Sequence, residues 1–226
     1  MAGLAASRFS PLRDGDGDGE SASSAAASAG PAPGAFELAS WAFFASHVPI
    51  TLLVDAQAVL PRALYEWGPR RALELYVGWS RDPLMRLPAA TWFRAIIFAE
   101  LALQLPFFFV ALLALRGAFD ARAAPPLRGL TSPAWLRTAA VAYGAHVATT
   151  MVPILATFAL HSERGPNAIT AGHRAALVAI YSPYLIMPLA VLWRAAAVSA
   201  AGGGQLFRTG AARPRAASGR DALHGD

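Results

Sequence analysis

Four apolar runs dominate this chain: Phe36 to Leu60, Trp92 to Leu115, Ala134 to Leu160 and about Arg174 to Ala200. A helix needs roughly 20 such residues to cross the hydrocarbon core of a bilayer, and each run suffices. The composition agrees, since 55% of the 226 residues are hydrophobic and only 15% are charged. A soluble domain is less apolar and does not bunch its apolar residues in this way. The expected fold is therefore an all-α membrane protein, a four-transmembrane-helix bundle with both termini on one side.

The linking stretches fill in the plan. Residues 1–34 are rich in Ala, Ser, Gly and Pro with an acidic run from Asp14 to Glu20, and read as a disordered tail. They carry no apolar core before a cleavage site, so the first run must itself direct insertion. Asp14, Asp16, Asp18 and Gly19 imitate the start of a calcium loop, but Ala25 stands where a bidentate Glu is needed. Between Arg62 and Pro88 aromatic residues alternate with arginines, which suits an interfacial segment, or a lid, between helices 1 and 2. Residues 35–200 form the transmembrane domain, and 201–226 read as a second disordered tail. The net charge of +5 comes from arginine alone, because the chain has no lysine. That excess marks helix flanks and headgroups, not nucleic acid, and its presence in the C-terminal tail favours cytoplasmic termini. With neither cysteine nor lysine, thiolate and Schiff-base chemistry are excluded, and no cofactor or metal is expected.

The informative residues are the polar ones inside the runs. A carboxylate at bilayer depth costs on the order of 3 kcal/mol to insert and is kept mainly where it faces a cavity or a partner. Asp55 is such a group, and His47, Thr51 and Asp55 recur every fourth residue on one stripe of the first helix. Glu100 and Gln104 sit one turn apart on the second. At about 1.5 Å per residue, Asp55, Glu100, Tyr181 and Thr150 all lie about 9 to 15 Å from one face, with His47 and His146 at about 20 Å. A shared depth predicts one pocket, open towards the segment that holds Asp82. Two carboxylates there cannot comfortably both be charged, which predicts a protonated Glu100 hydrogen-bonded to an ionised Asp55.

Blander readings apply to the rest. Thr149, Thr150 and Thr157 serve equally well as backbone hydrogen-bond partners. Pro49, Pro106, Pro153 and Pro188 shape helices, and Tyr65, Trp67, Trp79 and Trp92 suit an aromatic belt.

Several motifs resemble the sigma-2 receptor (transmembrane protein 97) family of the EXPERA superfamily. They are the stretch from Ser46 through Asp55 to Pro61, Arg81-Asp82-Pro-Leu, Trp92-Phe, the stretch from Glu100 through Gln104 and Pro106 to Phe108, that from His146 through Thr150 to Leu155, and Tyr181-Ser-Pro-Tyr184. The resemblance covers about residues 36–195. It implies a four-helix bundle of the endoplasmic reticulum membrane that binds sterols and cationic amphiphiles and serves sterol homeostasis and trafficking. By resemblance Asp55 pairs with a ligand amine, Glu100 hydrogen-bonds to that aspartate, and Asp82 is a second aspartate needed for binding. His47, Tyr76, Gln104, Thr150, Tyr181 and Tyr184 fall where the family lines its pocket. Val54 departs from the family's Met, and Gly219 to Asp226 is not a KDEL-type retention signal.

The expected function is thus a receptor-like sterol and cationic-amphiphile binder in contact with membrane lipid, with a sterol-trafficking membrane protein or a second copy as protein partner. The superfamily also includes emopamil-binding sterol isomerases. An enzyme reading, double-bond isomerisation by His47 with Glu100 or Asp55, ranks second because the motifs follow the sigma-2 type more closely.

Overall fold

The computed structural model describes residues 32–120, 129–161, 165 and 168–208. The acidic N-terminal run with its calcium-loop imitation, and the tail beyond 208, lie outside the described residues. Among the described residues seven α-helices carry the fold: α1 (Ala35–Leu53), α2 (Pro69–Ser80), α3 (Thr91–Ala99), α4 (Leu105–Phe119), α5 (Pro133–Leu160), α6 (Ala171–Tyr181) and α7 (Pro183–Ala200). Among the described residues no strand occurs, and four helical stretches are long and apolar enough to cross a membrane: Ala35–Ala58, Thr91–Phe119, Pro133–Leu160 and Ala171–Ala200. The four-span bundle expected from the sequence is present. Its outward faces carry exposed Phe98, Leu103, Val152, Ile186 and Trp193, as a lipid-facing surface requires.

Three spans are interrupted where the sequence suggests unbroken helices, the last of them at Ser182 between α6 and α7, where Pro183 has no N–H for the carbonyl of Ala179. The first stops at Leu53 and continues as a 3₁₀ turn, Asp55–Ala58. The cause is competition for carbonyls. The Gln57 side-chain amide donates to Leu53 O at 2.7 Å and to Pro69 O at 3.1 Å, while its own N–H turns to Val54 O at 3.2 Å. The Tyr65 hydroxyl donates to Leu52 O at 3.1 Å. Two carbonyls that the helix would have used are satisfied by side chains, so unwinding costs little in an apolar medium.

The second interruption is a π turn, Glu100–Gln104, between α3 and α4, closed by Leu105 N–H on Glu100 O. Pro106 explains it. Proline has no N–H for the carbonyl of Ala102, and its ring crowds that carbonyl, so a wider turn relieves the clash. Such turns concentrate at functional sites.

The spans pack in pairs, α5 along α7 and α1 along α4. Gly144 lets α5 and α7 approach closely, because a Cβ there would sit 2.6 Å from both Pro188 O and Leu192 Cβ. At the loop between spans three and four, the Arg174 guanidinium donates to the carbonyls of Phe158, Ala159 and His161, capping α5.

At the other end of the bundle the tail expected to begin at 201 is folded through Arg208. Gly202, Gly203 and Gly204 adopt positive φ and reverse the chain, which buries Leu206 and Phe207. Glu37, almost fully buried, accepts from Arg194 Nη2 at 3.2 Å and from Arg208 N–H at 3.0 Å. Arg194 Nε donates to Leu206 O at 2.8 Å, Arg137 donates to Gly204 O, and Phe207 stacks on Phe36, which completes the hold on this short segment.

Gly144→Ala tests the close pairing. The new methyl meets backbone as well as side chain, so a loss of about 1–3 kcal/mol is expected in thermal or denaturant unfolding of the detergent-solubilised protein. No loss would mean that α5 and α7 can separate freely.

Candidate functional site

Between the spans and beneath α2 lies a cavity of ≈ 420 Å³. Its walls are mostly apolar, including Ile50, Phe93, Ile97, Met151 and Ile154. Eight of the nine sequence-predicted site residues line it: His47, Asp55, Tyr76, Glu100, Gln104, Thr150, Tyr181 and Tyr184. Leu73, Tyr76 and Met85 close it from the segment between helices 1 and 2, which therefore acts as a lid. Arg81, at the left-handed C-cap of α2 (φ 55°), ties the lid to the loop between spans three and four by donating to Ala168 O at 2.9 Å.

The polar end of the cavity is the meeting of three side chains. One ligand atom each from His47, Asp55 and Glu100 lies within 4.8 Å of the others. Depth counting along a straight helix places His47 well beneath Asp55, about 12 Å away for eight residues. The helix stops at Leu53, Asp55 opens the 3₁₀ turn after Val54, and the two side chains bring their ligand atoms within reach across that gap. Glu100 is buried, and its Oε1 accepts a 2.6 Å hydrogen bond from Thr51 Oγ1. The bond anticipated between Glu100 and Asp55 is absent among the described residues, and Thr51 takes that place. Thr51 falls on the stripe of His47 and Asp55, which is the signal for it. The His47 ring stacks on Phe108 at 4.6 Å and meets the edges of Phe43 at 5.0 Å and Tyr184 at 4.7 Å. Its Nδ1 has no hydrogen-bond partner.

Asp82 does not line the cavity. It is fully buried behind the wall, where Oδ1 accepts from Leu84 N–H at 2.8 Å and Met85 N–H at 3.3 Å. Oδ2 accepts from Tyr76 at 2.9 Å and Tyr181 at 2.7 Å. Asp82 thus positions two tyrosines, one from the lid and one from span four, whose rings face the cavity. Burial first, and then the Asp82 carboxylate, push the Tyr76 phenol well above its ordinary range, so it remains a donor at any physiological pH.

Of the remaining polar candidates, Thr150 reaches the cavity but spends its hydroxyl on Val147 O at 2.9 Å. Exposed Thr149 and half-buried Thr157 donate to the carbonyls four residues earlier, at 2.8 Å each. His146 stays outside the cavity lining.

Comparison with known proteins agrees with this architecture. Residues 70–195 match the family profile EXPERA (EXPanded EBP superfamily). Sigma intracellular receptor 2 of Homo sapiens is 39% identical over 170 residues, covering 71% of this chain and 89% of that protein. The Macaca fascicularis protein of that name is 40% identical over 156 residues, 66% and 81% of the two chains. That of Xenopus tropicalis is 39% identical over 165 residues, 69% and 86%. The chain belongs to the sigma-2 receptor family of the EXPERA superfamily. It is a membrane protein of that family, and its cavity draws on all four spans and on a lid that falls largely within the matched region.

The Asp82 network generates a prediction. Tyr181→Phe leaves Asp82 Oδ2 with one donor and is expected to cost about 1–3 kcal/mol of stability. Asp82→Asn perturbs both tyrosines, so it is expected to cost more than Tyr181→Phe in thermal unfolding. Equal costs would mean that Tyr76 draws nothing from the contact.

Proposed function

We propose that this protein is a receptor-like binder of sterols and cationic amphiphiles in the endoplasmic reticulum membrane, serving sterol homeostasis and trafficking. The observation that carries the reading is the division of the cavity: acids at one end, aliphatic and aromatic walls elsewhere. A ligand with an amine head and a rigid apolar body fits both parts. Asp55 pairs with the amine, Glu100 is held beside it by Thr51, and Tyr184 and His47 supply aromatic surface. A sterol uses the same apolar walls with its hydroxyl at the polar end. The names of the relatives support the receptor reading, while the reticulum location, cytoplasmic termini and a sterol-trafficking or self-association partner extend it from the family resemblance.

The enzyme reading keeps one observation in its favour, because His47, Asp55 and Glu100 converge to separations that one water could bridge in a proton relay. Added sterol incubated with the purified protein separates the two, and mass spectrometry of double-bond position is expected to show no migration.

The direct test is binding of a labelled cationic amphiphile to the full chain in detergent. Asp55→Asn removes the paired charge and is expected to cost about 3 kcal/mol or more, over a hundredfold in Kd. Thr149→Ala, on the lipid side, leaves binding unchanged. Saturable binding that survives Asp55→Asn sinks the proposal.

A further inference from the structure

We propose that His47, Asp55 and Glu100 also form a divalent transition-metal site of the zinc type, whose occupation competes with the amine of a cationic ligand. Separations at the polar end suggest it. His47 Nε2 lies 3.6 Å from Glu100 Oε1, outside hydrogen-bond reach. It is close to the separation of two ligands on one zinc ion, about 3.3–3.5 Å for bonds of about 2.0–2.2 Å in tetrahedral geometry. The Asp55 carboxylate completes a triad whose ligand atoms fall within 4.8 Å of one another. Closing that set on a metal asks for a contraction of about 1 Å at its widest pair, within the reach of side-chain torsions.

The imidazole is the second observation. His47 is 5% exposed and aligned by three aromatic neighbours, and its Nε2, the nitrogen turned to the acids, meets only the distant Glu100 oxygen. Buried polar groups are seldom left so poorly satisfied unless something else binds them. Glu100, by contrast, is oriented by the Thr51 hydroxyl, as outer-shell partners orient carboxylate ligands.

Charge points the same way. The cavity lining holds two carboxylates and no arginine. An amine neutralises one of them, and a divalent ion neutralises both. The donor set selects among ions: one imidazole with two carboxylates suits zinc-like metals, whereas magnesium and calcium prefer oxygen alone. Three protein ligands leave a fourth position facing the cavity. Metal binding does not rest on amphiphile binding, because the ligands would be the same in its absence; only the competition rests on the proposed function.

The probe is Co²⁺ added to the full chain in detergent. Four- or five-coordinate Co²⁺ absorbs visible light far more strongly than the six-coordinate aqua ion. An intense spectrum at one equivalent, bleached by Zn²⁺ and by the cationic amphiphile, is expected. Both His47→Gln and Glu100→Gln are expected to lose it by more than tenfold in affinity, while His173→Gln retains it. A wild-type spectrum of the aqua ion, or an intense one kept by both variants, overturns the proposal. X-ray absorption of the Zn²⁺-loaded wild type guards against misfolded variants: one imidazole with oxygen ligands upholds the site, and two or more imidazoles, or none, overturn it. Co²⁺ uptake by a chain that binds no amphiphile would defeat the receptor reading alone, and amphiphile binding without Co²⁺ uptake would defeat this inference alone.

Discussion

Hydrocarbon offers no hydrogen bonds, so any break in a spanning helix must be repaired by the protein itself. Each break in this structure shows such a repair or its cause. The end of α1 exposes two carbonyls, and Gln57 and Tyr65 take them. The π turn follows from Pro106 and places Glu100 where Thr51 can reach it. The end of α5 is closed by Arg174. These side chains make irregular backbone affordable, and two of the irregularities carry the acids of the cavity. The acids of the site thus sit where the helices are least regular.

The lid depends on the same rule at the membrane surface. Its central residue, Asp82, accepts two backbone N–H groups from the chain that follows and two hydroxyls from different elements. One carboxylate thereby links the fold of the lid to span four. Arg81, its neighbour, makes the parallel link to the loop before span four. Lid and span are coupled through adjacent residues, so the position of Tyr181 in the cavity wall depends on how the lid is folded.

The spans were legible in the sequence because length and apolarity alone define them, and the depth of each polar group followed from the helical rise. Asp55, Glu100, Thr150 and Tyr181 share the cavity for that reason, whereas the family resemblance places Tyr76, Gln104 and Tyr184 there. What escaped depended on contacts between distant parts of the chain. Gln57 looks like one more polar residue in an apolar run until Pro69 O is seen beside it. The seat of Asp82 behind the wall needs Tyr181, 99 residues further on. Leu206 and Phe207 are too few to signal a packed segment in a glycine-rich stretch, and they stay in place because Glu37 waits at the start of the first span. Depth counting also says nothing of side-chain reach, which brings the ligand atoms of His47 and Asp55 together at the end of α1.

Three solutions to burying a carboxylate coexist in this bundle, and comparing them says what the cavity is for. Glu37 is given a cation, Arg194, which itself lies 4.6 Å over the Phe36 ring, together with a backbone N–H. Asp82 is given four neutral donors and no cation. Both are complete, and both hold the structure together. Asp55 and Glu100 receive far less: Thr51 and a distant His47 for Glu100, and among the described residues no hydrogen bond for Asp55. A chain that satisfies its structural acids this fully, and leaves two others underpaired at the end of an apolar chamber, has there the unmet negative charge on which both the proposed amine and the proposed metal ion would draw, each in place of the other.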